Sequence, residues 1–236
     1  IIQDYPEIKM IDLCGVTLDE IDKRLLWFLV REPKIGMIQV EAQSFIPEVR
    51  KAMNLKKTAE EAMRIIAELA SKKPIISNIM IGHPEENEKG FKRQYAFIRQ
   101  KGLFMLEPNI YINTVGTKSS LMCQIPEKLT KKRLGEMLQL TYELRKAYVA
   151  SVRAQRVTAR VLVSKPDGLV LMPVNKPVII EVEKQNGLVV GDLVECVVDG
   201  LLYSENSLQK GSSSIGEMAS LINPHDNRIH LRGHLV

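Results

Sequence analysis

The sequence has 236 residues, 45% of them hydrophobic, which is enough to bury a substantial core in one large domain or two unequal ones. Its formal net charge of +5 permits a nucleic-acid partner without requiring one. Apolar runs stay well short of twenty residues and no charged-then-apolar leader is present, so we expect a cytoplasmic protein without a membrane span or signal peptide. The first residue is Ile1 rather than methionine, and we expect an N-terminal part of the same protein to precede it.

Cysteine and histidine residues do not form a metal-binding pattern. Cys14, Cys123 and Cys196 are far apart in the sequence, so no pair has the spacing of a metal knuckle or a disulfide framework. Three histidines fall between residues 225 and 234, but a strand is predicted within that segment and Asp226 is the only obvious acidic partner there. We therefore predict no metal ligands, and a reducing compartment.

The first half of the chain alternates between short apolar runs and amphipathic segments. The predicted strands span residues 9–13, 34–40, 75–81 and 109–113, and the predicted helices span residues 18–30, 58–70 and 88–100. Such alternation is typical of βαβ units with a parallel sheet.

The second half changes character. A long charged amphipathic helix is predicted from residue 126 to 156, and strand-like runs follow at residues 157–163, 177–182 and 192–198, separated by turn sequences such as Pro166-Asp167-Gly168. The sequence therefore predicts an α/β part over residues 1–125, a basic connecting helix over 126–156 and an all-β domain over 157–236.

The segment Gly82-His83-Pro84 interrupts an apolar strand and is followed by acidic residues. Gly82 permits a sharp turn, Pro84 restricts the chain after it, and the acidic residues suit a helix N-terminus. Ligands of parallel α/β proteins bind where strands end and loops lead into helices. Two interpretations stay open, a well-capped turn and a cofactor loop.

Four segments, in this order, carry a family resemblance: residues 43–54 (QSFIPEVRKAMN), 76–88 (ISNIMIGHPEENE), 111–122 (YINTVGTKSSLM) and 124–127 (QIPE). They are similar to the Gln-Ser-Gly-Ser, Asp-Ile-Ile-Val-Gly-Phe-Pro, Tyr-Ser-x-Arg-Pro-Gly-Thr and Gln-x-Pro segments of the radical S-adenosylmethionine methylthiotransferases. The resemblance covers roughly residues 8–156, and the all-β part resembles the TRAM domain that closes these enzymes and binds tRNA.

The resemblance implies a fold and a reaction. The fold is a partial (βα) barrel of the radical SAM type followed by a small all-β TRAM-like domain. The reaction places a methylthio group on a tRNA adenosine or on a ribosomal protein, with S-adenosylmethionine and 4Fe-4S clusters as cofactors. The family's Cys-x3-Cys-x2-Cys cluster motif does not occur in this sequence, and by family order residue 1 falls after it. We therefore expect the chain to be inactive alone.

The resemblance also implies cofactor-binding residues, namely Gln43, Ser44, Ser77, Asn78 and Gly82. Three of them have an alternative: Gln43 and Ser44 could be polar residues that cap the following helix, and Asn78 could be a satisfied buried amide. The segments depart from the family at Phe45-Ile46, where the family has Gly-Ser, at Asn78, where it has Asp, at His83, where it has Phe, and at Thr114-Val115, where it has Arg-Pro. The first two departures remove a compact turn and a negative charge.

The long helix carries a surplus of basic residues, for which tRNA is the implied partner. The predicted RNA-binding residues are Lys128, Lys131, Lys132, Arg145, Lys146 and Arg153. The alternative is a solvated basic helix. Residues 157–236 contain seven basic and nine acidic residues, so charge alone does not indicate strong RNA binding by the all-β part.

Residues 171–180 (LMPVNKPVII) resemble the family branch that modifies N6-threonylcarbamoyladenosine next to the anticodon, and the Gly-His-Pro-Glu-Glu sequence fits the same branch. The alternatives are a methylthiotransferase acting on isopentenyladenosine or a ribosomal protein, a non-catalytic RNA-binding module on the same scaffold, and an unrelated α/β scaffold. No catalytic residue is assigned from the sequence.

Overall fold

The structure, a computed structural model, describes residues 4–8, 10–174, 176, 178–201 and 229–236. The chain divides into two compact units. The first, residues 11–144, is called the sheet unit, and the second, residues 1–10 together with 145–236, is called the barrel unit.

The sheet unit contains four parallel strands in the order β1-β2-β3-β4: Ile11–Thr17, Ile35–Gln43, Ile75–Ile81 and Met105–Ile110. Its helices are α1 Lys23–Arg31, α2 Pro47–Ala52, α3 Ala59–Ala70, α4 Glu88–Lys101 and the first part of α5, Glu127–Val152. Short 3-10 helices span Leu18–Glu20 and Lys118–Leu121. The core is made mainly of β-branched and leucine side chains of β2, β3 and α3.

Local sequence explains most helix boundaries. Asp22 accepts a hydrogen bond from Leu25 N at 2.7 Å and begins α1, and Thr58 forms a capping box with Glu61 at the start of α3. Gly102, with φ of 61°, ends α4 in the left-handed conformation.

The predicted α/β class with a following small β domain is confirmed, while some element boundaries were wrong. The fourth strand spans Met105–Ile110 rather than residues 109–113, so Pro108 lies inside it. A proline is tolerated there because β4 is at the edge of the sheet. Helix α1 begins at Lys23 rather than at residue 18, and α2, with Pro47 in its first turn, is a helix after Gln43 and Ser44 to which no bounds were assigned from the sequence.

The barrel unit contains a closed five-stranded barrel in the order β5-β6-β7-β9-β8: Arg156–Ser164, Gly168–Pro173, Val178–Glu183, Ile229–Leu235 and Leu193–Leu201. Strand β6 was not predicted. Strands β7 and β9 are parallel, and the other neighbours are antiparallel. Buried residues such as Ala159, Leu171, Ile180, Val198 and Leu231 fill the barrel. His225 lies outside the described residues, as does Asp226.

Candidate functional site

A row of polar residues crosses the parallel sheet. Thr17 is paired in register with Glu41, Glu41 with Asn78, and Asn78 with Glu107, so one residue comes from each of the four strands. Register partners on neighbouring strands present their side chains to the same face of a sheet. We call these four residues the polar row. Thr17 is exposed and the other three are half-buried, so the row is accessible on its face.

The adjacent row faces the other way. Val40, Ser77 and Leu106 are also register partners, and each is essentially fully buried. Successive residues of a strand point to opposite faces. Ser77, predicted to contact the cofactor, therefore lies on the opposite face from Asn78, and its hydroxyl contacts only the Asn78 carbonyl oxygen, at 3.4 Å, among its described hydrogen bonds.

Hydrogen bonds hold the polar row in place. Gln39 Nε2 donates to Glu107 Oε2 at 2.6 Å. The Gln43 backbone N–H donates to Asn78 Oδ1 at 3.4 Å, and Gln43 has a φ of 61°, which non-glycine residues seldom adopt. The structure thus brings Gln43 and Asn78 together at the carboxyl end of β2.

Ser44 is buried just behind this edge. Its Oγ accepts a hydrogen bond from Ile46 N at 3.1 Å and contacts Gln94 Oε1 at 3.4 Å, and Gln94 Oε1 also accepts from Phe45 N at 2.7 Å. These contacts fix the chain that enters α2. Ser44 therefore has a structural role in this geometry and does not belong to the polar row.

Arg50 supports the same turn and was not singled out from the sequence. Its guanidinium is 2% exposed, pairs with Asp19 at 2.5 Å, and donates to the carbonyl oxygens of Ala42 and Ser44 at 3.0 and 2.9 Å. By donating to these two carbonyl groups at the end of β2, Arg50 fixes the backbone on both sides of Gln43.

Gly82 lies directly after β3, where α5 approaches closely. Its φ is 87°, and a Cβ placed on it would lie 2.6 Å from Thr130 Cγ2. The Gly82 N–H donates to Glu86 Oε1 at 3.3 Å. The glycine is thus required by backbone conformation and by packing against α5, which favours a tightly packed turn as the interpretation of the Gly-His-Pro segment.

Glu86 and Arg133 form a buried pair beside Gly82. Arg133 Nη1 donates to Glu86 Oε1 and to the Glu86 carbonyl oxygen, both at 2.9 Å, while its Nη2 contacts Glu88 Oε2 at 3.2 Å. Burial raises the pKa of Glu86, and the nearby guanidinium opposes that shift. The guanidinium also lies 5.2 Å from the centre of the Phe91 ring.

His83 is fully buried in the same turn. Glu85 N donates to its Nδ1 at 3.1 Å, so the proton of the neutral ring is on Nε2, which donates to Ser119 Oγ at 2.9 Å. Its ring packs edge-on against Tyr111 at 5.0 Å. Burial lowers the pKa of His83, which favours this neutral form.

The predicted RNA-binding residues of α5 differ in exposure. Lys128, Lys131, Lys132, Lys146 and Arg153 are exposed, whereas Arg145 is half-buried and burial lowers its pKa. Lys131 pairs with Glu127 at 2.6 Å, and Lys132 pairs with Glu136 at 3.8 Å. Exposed i,i+4 pairs of this kind are weak, so these lysines can exchange a carboxylate for a phosphate at small cost.

The barrel unit has a polar hollow of about 650 Å³ near one end of β9. Its lining includes Lys165, Glu181, Asp199, Arg232 and His234. His234 Nδ1 lies 2.9 Å from Asp199 Oδ1, and Lys165 Nζ lies 3.3 Å from Glu181 Oε1. The hollow mixes both signs of charge and does not by itself select an anion.

Sequence reasoning missed Gln39, Glu41 and Glu107. A signal for the first two was present, because polar residues at 39, 41 and 43 alternate with Ile38, Val40 and Ala42 in a strand that was interpreted as apolar. Glu107 was missed because the fourth strand was placed after it.

In the described part of the chain, no group of three or more His, Cys, Asp or Glu residues is placed to bind a metal ion. Cys14 and Cys123 are exposed, whereas Cys196 is buried in the barrel, and burial raises its pKa to about 11. Among the described helices, none combines the length and apolar character of a membrane span.

Comparison with curated proteins finds similarity to methylthiotransferases. No protein-family profile matches the sequence. The chain is 26% identical over 160 residues to the threonylcarbamoyladenosine tRNA methylthiotransferase MtaB of Aquifex aeolicus, a match covering 66% of this chain and 39% of that protein. It is 27% identical over 142 residues to the ribosomal protein uS12 methylthiotransferase RimO of Acetivibrio thermocellus, covering 58% of this chain and 31% of the relative.

A third relative is the tRNA-2-methylthio-N(6)-dimethylallyladenosine synthase of Cereibacter sphaeroides, 28% identical over 126 residues, which are 52% of this chain and 29% of that protein. Among solved structures, the radical SAM enzyme coproporphyrinogen III oxidase of Escherichia coli matches 86% of this chain and 49% of its own at a TM-score of 0.47 and 12% identity. The chain spans about two fifths or less of the length of these curated relatives. The predicted resemblance to methylthiotransferases is confirmed.

Proposed function

We propose that this chain, a relative of the radical S-adenosylmethionine methylthiotransferases, is the part of a tRNA methylthiotransferase that binds S-adenosylmethionine and contacts tRNA. The proposed modified base is N6-threonylcarbamoyladenosine, and the proposed setting is the cytoplasm. Similarity over 160 residues to an enzyme named for that base supports the choice. Relatives acting on dimethylallyladenosine or on a ribosomal protein make the other two substrates the alternatives.

The polar row carries the cofactor part of the proposal. Glu41 and Glu107 flank Asn78 in register, so two carboxylates and one amide share an accessible face. Carboxylates accept hydrogen bonds from ammonium and ribose hydroxyl groups, and an amide can donate and accept. S-adenosylmethionine presents an ammonium group, a sulfonium centre and ribose hydroxyls, so its chemistry fits this row.

The predicted contact residues divide accordingly. Gln43 and Asn78 stay in the proposed site, and Glu41 and Glu107 join them. Ser44, Ser77 and Gly82 are buried and engaged with protein groups, so we assign them to the scaffold that holds the strand ends in place.

When bound and reduced by an iron–sulfur cluster, S-adenosylmethionine supplies the radical chemistry of such enzymes. The sequence contains no Cys-x3-Cys-x2-Cys segment, so the cluster ligands are not supplied by these 236 residues. The role proposed for this chain is to bind and orient the cofactor and the RNA. We propose that a further part of the same protein supplies the cluster.

Binding of S-adenosylmethionine, measured by titration calorimetry, tests the cofactor site. Replacing Asn78 with Ala, or Glu41 with Gln, removes a polar partner or a charge from the row, and each should weaken binding at least about tenfold, since a hydrogen bond to a charged group is worth about 1.5–3 kcal/mol. Glu48→Gln is the matched control because Glu48 is exposed on α2 and outside the row. Equal affinity of all four proteins would refute the assignment, as would no binding by the wild type.

Binding to anticodon stem-loops tests the substrate. An RNA carrying N6-threonylcarbamoyladenosine should bind more tightly than the same RNA with unmodified adenosine or with isopentenyladenosine. Preference for isopentenyladenosine, or for a ribosomal-protein peptide over all three RNAs, would identify one of the alternatives. RNA binding without any cofactor binding would favour a non-catalytic RNA-binding module.

A further inference from the structure

Helix α1 presents an aromatic and basic surface. Lys23, Trp27 and Arg31 follow one another at intervals of four residues, which places them on one face of the helix. Trp27 is 57% exposed, although tryptophan is costly to leave in water. The opposite side of the helix is anchored by Leu26 and Leu29, which are buried. Trp27 is therefore exposed by the register of the helix and not by poor packing.

Within the part of the chain that the structure describes, the cations around Trp27 form no ion pair. Among the described residues, neither Lys23 nor Arg24 pairs with a carboxylate, and the guanidinium of Arg31 lies 5.0 Å from the centre of the Trp27 ring. Asp22, which directly precedes the helix, accepts the capping hydrogen bond of Leu25 N. By contrast, three cations on α3 and α4 are paired, in Arg64–Glu68, Lys92–Glu88 and Arg93–Glu60. The α1 surface is thus a local excess of positive charge.

A shallow depression lies next to the indole. It has a volume of about 450 Å³ and is lined by Asp22, Arg24, Leu25, Trp27 and Phe28. Leu25 and Phe28 supply apolar walls, and Arg24 supplies a cation at the rim. The depression can hold a flat ring while the surrounding cations contact an attached anion.

We propose that this surface, defined as Lys23, Arg24, Trp27 and Arg31, binds an unpaired nucleotide of a single-stranded nucleic acid. The base stacks on Trp27, and the flanking phosphates contact the three cations. Stacking on an exposed aromatic beside a basic groove is the general way proteins hold single strands. The inference goes beyond the proposed function, since it requires neither the cofactor nor a modified base.

An acidic peptide is the competing ligand class for a basic surface. The observations favour a nucleotide because it joins a planar aromatic ring to a phosphate, and both halves have a partner here. An acidic peptide would use the cations but would leave the indole and its depression without a matching group.

The protein contains a single tryptophan, so its fluorescence reports directly on this surface. Titration with a single-stranded oligouridylate should quench Trp27 fluorescence saturably, because a stacked base quenches indole emission. Inorganic polyphosphate supplies the charges without bases and should bind without comparable quenching. Poly-glutamate tests the acidic-peptide alternative and should bind at least tenfold more weakly than the oligonucleotide.

Variants separate stacking from charge. Trp27→Ala should weaken binding of a dye-labelled oligouridylate at least fivefold, and Trp27→Phe should recover most of that affinity. Replacing Lys23, Arg24 and Arg31 with Gln should reduce the log-log salt slope of binding by about two units. The matched control replaces the paired cations Arg64, Lys92 and Arg93 with Gln, and its affinity should change less than twofold.

Thermal unfolding checks that each variant is folded, which is expected because the replaced side chains are exposed. Binding of the oligonucleotide elsewhere on the chain would leave Trp27 fluorescence unchanged, and that outcome would overturn the proposal. Equal binding of poly-glutamate, or an equal reduction of affinity in the charge variant and its control, would also overturn it.

Discussion

Arg133 Nη1 lies 2.9 Å from Glu86 Oε1, and both side chains are at most 3% exposed. This pair joins α5 to the turn that follows β3, and Arg133 also satisfies the Glu86 carbonyl oxygen. The turn and the strand ends beside the polar row therefore depend on a residue far along the chain.

Breaking this pair should destabilise the sheet unit. Arg133→Met leaves Glu86 as an uncompensated buried carboxylate, and we expect a decrease of about 3–5 kcal/mol in the free energy of unfolding. Lys132→Met is the control, because the 3.8 Å pair of Lys132 with Glu136 is exposed. Its loss should lower the free energy of unfolding by less than about 0.5 kcal/mol. Urea unfolding followed by Trp27 fluorescence measures the sheet unit specifically. Similar midpoints for the two variants would contradict a structural role of the pair.

Gly82→Ala should be costly for two reasons, a positive φ and a Cβ within 2.6 Å of Thr130 Cγ2. We expect the free energy of unfolding to fall by about 2–4 kcal/mol. Gly102 also has a positive φ, 61°, but a Cβ added there would meet no atom within 4 Å. Gly102→Ala should therefore lower the free energy of unfolding only by the conformational cost, about 1–2 kcal/mol. Adding Thr130→Ala to Gly82→Ala should restore part of the stability. If both glycine variants are equally stable, the close approach of α5 is not what requires Gly82.

The buried His83 should make stability depend on pH. Burial lowers its pKa in the folded state from the ordinary value of 6.5, so the unfolded chain binds more protons below that value. The stabilisation is fully present above pH 6.5 and is lost as the pH falls toward the folded pKa. His83→Gln removes this contribution, so the stability difference between wild type and variant should shrink as the pH is lowered.

The raised pKa of Glu86 acts in the opposite sense, since the folded state then binds more protons above pH 4.5. Glu86 is present in both proteins, so the difference between them isolates His83. Chemical unfolding from pH 5 to 8 provides the measurement. A difference that stays constant over that range would show that His83 does not titrate on unfolding.

The exposed lysines at the start of α5 should govern the salt dependence of tRNA binding. Replacing Lys128, Lys131 and Lys132 with Gln should reduce the log-log salt slope by roughly one unit for each phosphate that these side chains neutralise. A control variant with Lys51, Lys72 and Lys89 replaced by Gln carries the same charge change on other exposed positions. Identical slopes for the two variants would show that the α5 lysines are only a solvated surface.

Much of the fold follows from local sequence, whereas the site depends on features that local patterns do not encode. Alternation of apolar runs and amphipathic helices predicted the parallel sheet. The placement of Ser77 and Asn78 on opposite faces follows from strand alternation, but both were predicted as contacts because family motifs do not distinguish faces.

Interactions between residues distant in sequence account for the rest. The sequence indicated that Gly82 is a turn residue. It did not reveal that a side chain at this position would clash with Thr130 of α5. Glu107 became part of the polar row only because β4 begins at Met105, whereas the strand was predicted over residues 109–113. The buried Arg50 pairs with the half-buried Asp19 across different elements, which charge patterns alone do not reveal.

The irregular backbone at both edges of the sheet has a consequence for self-association. Strand β1 has two register irregularities and includes Gly15 with a φ of 69°, while β4 contains Pro108, which has no N–H to donate. A second chain adding to either edge would lack backbone hydrogen bonds at these points. Both edge strands are thereby poorer templates for strand addition than regular edges would be.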